Sequence, residues 1–145
     1  MTDLSYLLEE LLVWVALQKM PIQLSEDDLE LRMSEILVLA VRRLYIRTGR
    51  GTAFRRDLFT YADGGIVQSI SASLSADEEE LISIYAKMET LRWIQGDVNT
   101  IVGYTTNALS VTNADKPFVN LETMLKDLEE QEAMVFLSML RYSHL

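Results

Sequence analysis

The chain of 145 residues contains no cysteine and one histidine, His144. The first absence removes disulfides and thiolate metal sites together. The second leaves too few ligands for a zinc site. It also confines any nucleophile–histidine–carboxylate arrangement to the next-to-last residue, a position prone to fray. Proline occurs twice and glycine six times, and no proline-rich or glycine-rich stretch or internal repeat divides the chain. The longest apolar run, 11–17, falls far short of the roughly 20 residues that span a bilayer, so no membrane partner is expected. The first ten residues carry Asp3, Glu9 and Glu10 and no base, unlike a secretion signal. The expected location is therefore the interior of a cell or virion. Gly49-Arg50-Gly51-Thr52 lacks the spacing of a phosphate loop and follows a helix rather than a strand. Carboxylate groups such as Glu129/Glu130 and 77–80 read as solvated helix faces and helix starts. No catalysis and no cofactor are expected.

What is present is a helical pattern. Hydrophobic residues make up 49% of the chain, enough for one packed domain of this length. Leu4, Leu7, Leu8, Leu11, Leu12 and Val15 recur at spacings of three and four, predicting a first helix over 3–18, with Trp14 and Leu17 widening its stripe. Ser25 followed by Glu26, Asp27 and Asp28 signals the start of a second helix over 26–47, with Leu29, Met33, Ile36, Leu37, Ala40, Val41 and Leu44 on one face. Ser75 with Glu78 makes a capping box for a third helix over 76–95, which buries Leu81, Ile84, Tyr85, Met88 and Leu91 and stops at Gly96. A fourth helix over 119–142 follows Pro117 and faces Leu121, Met124, Leu125, Leu128, Val135, Phe136 and Met139 inward. Residues 48–75 read as one long connection, within which 58–61 suggests a short strand and Ala62-Asp63-Gly64-Gly65 a turn. A short hairpin is predicted at about 99–112, with its turn at Thr105-Thr106-Asn107. The fold class expected is mainly α: a four-helix bundle-like domain with a long loop and a short β-hairpin between helices three and four.

Charge is unevenly spread around a formal net value of −9. Six of the 13 basic residues lie in 42–56, all of them arginine and with no acid among them: Arg42, Arg43, Arg47, Arg50, Arg55 and Arg56. Arginine pairs with carboxylate or phosphate in a bidentate way that lysine does not. Three readings stand: exposed side chains meeting the chain's own acids, docking on an acidic face of a neighbouring subunit, or contact with a nucleic-acid backbone. The tail 141–145 carries Arg141, Tyr142, His144 and Leu145, either fraying or seated in a partner's groove.

The segment 75–93, ending in Leu91-Arg92-Trp93, then Ile101-Val102-Gly103-Tyr104-Thr105-Thr106-Asn107-Ala108-Leu109-Ser110-Val111-Thr112, then a long amphipathic helix, resembles the head–tail connector (adaptor) proteins of tailed bacteriophages. The resemblance covers roughly 66–140; the arginine-bearing loop at 48–65 has no counterpart in it. It implies a ring-forming neck protein of the virion, assembled in the host cytoplasm. Such a ring sits beneath the portal in twelve copies, contacts the next neck or tail protein and surrounds double-stranded DNA in its channel. It implies that the hairpin and 48–65 meet neighbouring subunits, and that the tail from Arg141 docks on the portal. Two other readings of the residues remain. One is a small acidic helical interaction or regulatory module binding one protein partner; the other is a nucleic-acid binder acting through its basic loop.

Overall fold

The computed structural model describes residues 1–18, 22, 24–96 and 116–143. The predicted hairpin at 99–112 lies outside these residues, as do His144 and Leu145. The fold is mainly helical, with a small sheet at one end. Chain order runs β1 (Thr2–Asp3), α1 (Ser5–Leu17), α2 (Glu26–Arg47), two single 3-10 turns (Gly51–Ala53 and Arg56–Leu58), β2 (Phe59–Tyr61), β3 (Val67–Ile70), α3 (Ala76–Gly96) and α4 (Lys116–Ser143).

The helix starts follow the capping chemistry legible in the sequence. Asp28 donates its backbone N–H to Ser25 Oγ at 3.2 Å, and three acids occupy the first turn of α2. At α3, Glu78 N–H donates to Ser75 Oγ and Ser75 N–H donates back to Glu78 Oε1, the reciprocal pair of a capping box. The end of α2 is a Schellman motif. Gly49 takes φ +75°, its N–H donates to the Ile46 carbonyl, and Arg50 N–H donates to the Tyr45 carbonyl at 2.7 Å.

Five boundaries differ from the sequence reading; the ends of α1 at Leu17 and α3 at Gly96 do so by a single residue. Helix one starts at Ser5 rather than residue 3, because Thr2 and Asp3 pair with Ile70 and Ser69 of β3. Asp3 then accepts from both the N–H and the hydroxyl of Ser5. These bonds hold its carboxyl below the usual carboxylate range. Helix four starts at Lys116, so Pro117 lies inside the first turn rather than ahead of it, where its missing N–H costs nothing. It also continues through Ser143, since nothing after Leu140 breaks a helix.

The predicted long loop at 48–75 is structured for most of its length. The strand expected at 58–61 is β2, at Phe59–Tyr61, and the turn after it is closed by Ala62 N–H on the Ile66 carbonyl, with Gly64 and Gly65 both at positive φ. Together β1, β3 and β2 form a three-stranded antiparallel sheet in that order. β1 and its partner β3 are separated by more than 60 residues of sequence, a pairing that local pattern does not reveal.

α3 is the centre of the domain. Leu81, Ile82, Ile84, Tyr85, Ala86, Met88, Thr90, Leu91 and Ile94 are all buried, and these positions run right round the helix. The sequence reading gave α3 a single buried face. The remaining sides are covered because α2, α1 and α4 all pack against it. Thr90, fully buried, satisfies its hydroxyl on the Ala86 carbonyl one turn back, 2.7 Å away.

One buried polar bond ties the sheet to the helices. Ser34, on the inner face of α2, accepts the Val67 N–H of β3 at 2.8 Å. Ser34→Ala leaves that N–H without a partner in the core, a loss of about 1–3 kcal/mol. Urea unfolding of the variant reads this directly; a change within about 0.5 kcal/mol of wild type, the size expected of a neutral surface substitution, removes the bond as a tether.

Candidate functional site

The arginines of α2 do not act alike. Arg43, Arg47 and Arg50 follow one another at spacings of four and three, so they line one side of the helix and its cap. Each meets an acid of another helix and lies over an aromatic ring. Arg43 is 3.5 Å from Glu89 of α3, with its guanidinium 5.1 Å from the Tyr85 ring centre. Arg92 reaches the same Glu89 oxygen at 3.1 Å. Arg47 donates through Nε to Glu132 Oε1 of α4 at 3.1 Å and sits 3.9 Å from the Phe136 ring centre. Arg50 donates to Glu78 Oε2 at 2.6 Å and lies over Tyr45. The Schellman turn creates the last contact, since it folds the residue after Gly49 back over the last turn of the helix.

Glu132 is the point where three helices meet. Its Oε1 accepts from Arg47 of α2 and also from the Tyr85 hydroxyl of α3 at 2.7 Å. The Glu132 side chain is only 15% exposed, so its charge is largely withdrawn from water and held by these two donors. Burial, and then the carboxylate beside it, push the Tyr85 phenol well above its ordinary value, while the flanking Arg47 and Arg43 pull the other way.

The other predicted residues are placed differently. Arg55 is 3.7 Å from Asp57 with both side chains largely exposed, a pair of little energetic weight. Arg42 and Arg56 are exposed and have no ionic partner among the described residues. Arg141 is exposed on α4, and the backbone at Tyr142 is helical. The structure thus brings together Arg43, Arg47 and Arg50 with acids of their own chain. Arg42, Arg55, Arg56 and Arg141 are left at the surface.

Two surface features escaped the sequence reading. On α1, Val13 is 58% exposed, and Leu17, which the sequence reading placed in the apolar stripe, is 73% exposed at the last residue of the helix. On α4, Met134 and Leu137 are 72% and 61% exposed, and on α2 Ile46 is 59% exposed. The signal for α4 was present: Met134-Val135-Phe136-Leu137 is four apolar residues in succession, and a helix packed on one side must turn some of them outward.

A hollow of about 230 Å³ lined by Leu24, Asp28, Leu31, Arg32 and Glu35 is smaller than the roughly 300–1,000 Å³ of small-molecule sites. Among the described residues, no group of three or more histidine, aspartate or glutamate side chains is placed to hold a metal. No helix among them is long and apolar enough to cross a membrane. Comparison of the chain with models of known protein families, with curated proteins and with solved structures finds no match.

Two outcomes are expected of Tyr85→Phe. At neutral pH the variant loses the hydroxyl bond to the Glu132 carboxylate, at a cost of about 1.5–3 kcal/mol. The pH dependence also changes. Below about pH 10 the phenol is neutral in both the folded and unfolded states, so its contribution is fully present. Above that pH the unfolded phenol ionises while the folded one keeps its proton, so the contribution falls as pH rises. Thermal unfolding from neutral to alkaline pH should show wild type losing stability more steeply than the variant above about pH 10. Parallel profiles for the two proteins would show that Tyr85 is not held by Glu132.

Proposed function

We propose that this chain is a structural virion subunit, a head–tail connector of a tailed bacteriophage. Its copies form a ring that joins the capsid portal to the tail or next neck protein and extends the DNA channel. The observation that carries the reading is the large apolar side chains, Val13, Leu17, Met134 and Leu137, that the helical domain leaves facing water on its outer helices. A chain that finishes its apolar burial against copies of itself needs such surfaces. The sequence resemblance over 66–140 supplies the class of assembly. In this reading Arg42 and Arg56, with the weakly paired Arg55, meet a neighbouring subunit or DNA phosphates, while Arg43, Arg47 and Arg50 are engaged within the chain. The residues from Arg141 onward reach the portal.

The engagement of those three arginines also favours a second reading, an acidic helical module that binds one protein partner. Its charges are already met at home, and a monomer would need little further pairing. Symmetry separates the two. Mixed with a tailed-phage portal, the purified chain should give rings of twelve copies seated on it in negative-stain images, and deletion of 141–145 should abolish the seating. A protein that stays monomeric or dimeric with every portal tested supports the module. Seating that survives the deletion removes the tail as the docking element.

A further inference from the structure

The exposed apolar residues fall into two groups of opposite electrostatic character. The outer face of α1 carries Glu9, Glu10, Val13 and Leu17, all exposed and within three turns of one helix side. From 4 to 18 the chain has no base, and the carboxylate of Glu79 on α3 lies beside the Tyr6 phenol at the start of this face. One cation borders it: Lys87 of α3, 5.8 Å from the Trp14 ring centre.

The second group joins α2 and α4. Leu39, Arg42 and Ile46 make an exposed stripe on α2, and the chain from 36 to 56 contains no acid. On α4, Met134 and Leu137 are exposed, and Arg141 is the one charged residue between 133 and 143. Arg47, next to Ile46, lies on the ring of Phe136, next to Leu137, so each stripe borders the contact between α2 and α4. One face is thus apolar and acidic; the other sets Arg42 and Arg141 among its apolar residues, with exposed Glu35 and Glu130 one turn before the two stripes. α4 packs on α3, while α1 packs on α2 and α3, with no extended contact between α1 and α4 among the described residues.

We infer that the apolar-acidic face of α1 on one copy seats on the apolar-basic face of α2 and α4 on the next. The occupant is a second copy of this chain because both halves of the match, apolar and ionic, are present on a single molecule. Glu9 and Glu10 meet Arg42 and Arg141, while Val13 and Leu17 cover Met134, Leu137 and Ile46. Unlike surfaces pair, so the contact is head-to-tail; it repeats until the rotation closes a ring or continues as a filament. A contact of like faces would instead set Glu9 and Glu10 against their own copies, which is repulsive. The pairing rests on the reading of the chain as a self-assembling subunit and names the surfaces that do it.

The absence of cysteine makes the test clean. Val13→Cys and Leu137→Cys each place one thiol at an exposed position that the core does not use, so folding is preserved. The two variants, one bearing a mass tag, are mixed and oxidised. The expected product is a covalent dimer containing one chain of each kind, severalfold more abundant than the dimers either variant forms alone. A Val13→Cys mixture with Glu122→Cys, exposed on the acidic half of α4, should give only the background yield. Equal yields with Leu137→Cys and Glu122→Cys, or no mixed dimer at all, overturn the interface. Abundant dimers of a single variant show a like-with-like contact or another arrangement, and also overturn it. Rings on a portal without the 13–137 crosslink would sink the interface and leave the connector reading standing. The crosslink without portal binding would do the reverse.

Discussion

The placement of α4 depends on a single carboxylate. α4 has only two buried apolar residues among those described, Leu121 and Leu128, and its remaining inward side chains are half-covered. Such a contact restrains rotation about the helix axis weakly, because many apolar contacts of similar area are interchangeable. A hydrogen-bonded charge is not interchangeable in this way. Glu132 accepts from Tyr85 of α3 and Arg47 of α2 through one oxygen, and turning α4 by one residue would strand that charge away from both donors. The same constraint fixes what faces outward: with Glu132 turned in, Met134 and Leu137 point to solvent. An internal polar joint thus determines an external apolar surface.

The arginine-rich segment shows how one stretch of sequence serves two purposes. Arg43, Arg47 and Arg50 link α2 to α3 and α4, each combining a carboxylate with an aromatic ring. The carboxylates of Glu78 and Glu132 are 16% and 15% exposed, so their pairs are shielded from solvent on one side and rank above ordinary surface pairs. Arg42 and Arg56 project outward, as do Arg55 and Arg141. A strongly acidic chain therefore retains a local basic surface while half of its clustered arginine charge holds helices together.

Much of the architecture was legible in the residues. Three-and-four spacing located all four helices, and Ser25, Ser75 and Gly49 marked boundaries through capping chemistry that acts over a few residues. What was not legible depends on distant parts of the chain. Thr2–Asp3 became a strand only because Ser69–Ile70 is there to receive it. The second buried side of α3, with Ile82, Ala86 and Thr90, follows from being surrounded, which no single-helix pattern declares. Among the site residues, the cluster 42–56 was visible as composition. Its split into paired and free members required Glu78, Glu89 and Glu132, whose roles nothing local announces. Leu17 read as part of the first helix's apolar stripe, and Val13, Met134 and Leu137 were assigned to no face; only the register of each helix in the packed domain turns all four outward.

That register can be read chemically in a protein without native thiols. Single cysteines at Leu128, Met134 and Leu137 are reacted with a thiol reagent in dilute solution. With Glu132 locked between Tyr85 and Arg47, positions 134 and 137 should react at the rate of a free thiol. Position 128 should be protected by orders of magnitude, reacting only on unfolding. Equal rates at all three sites, or protection at 134 and 137 with fast reaction at 128, would contradict the placement of α4 and of its outward face.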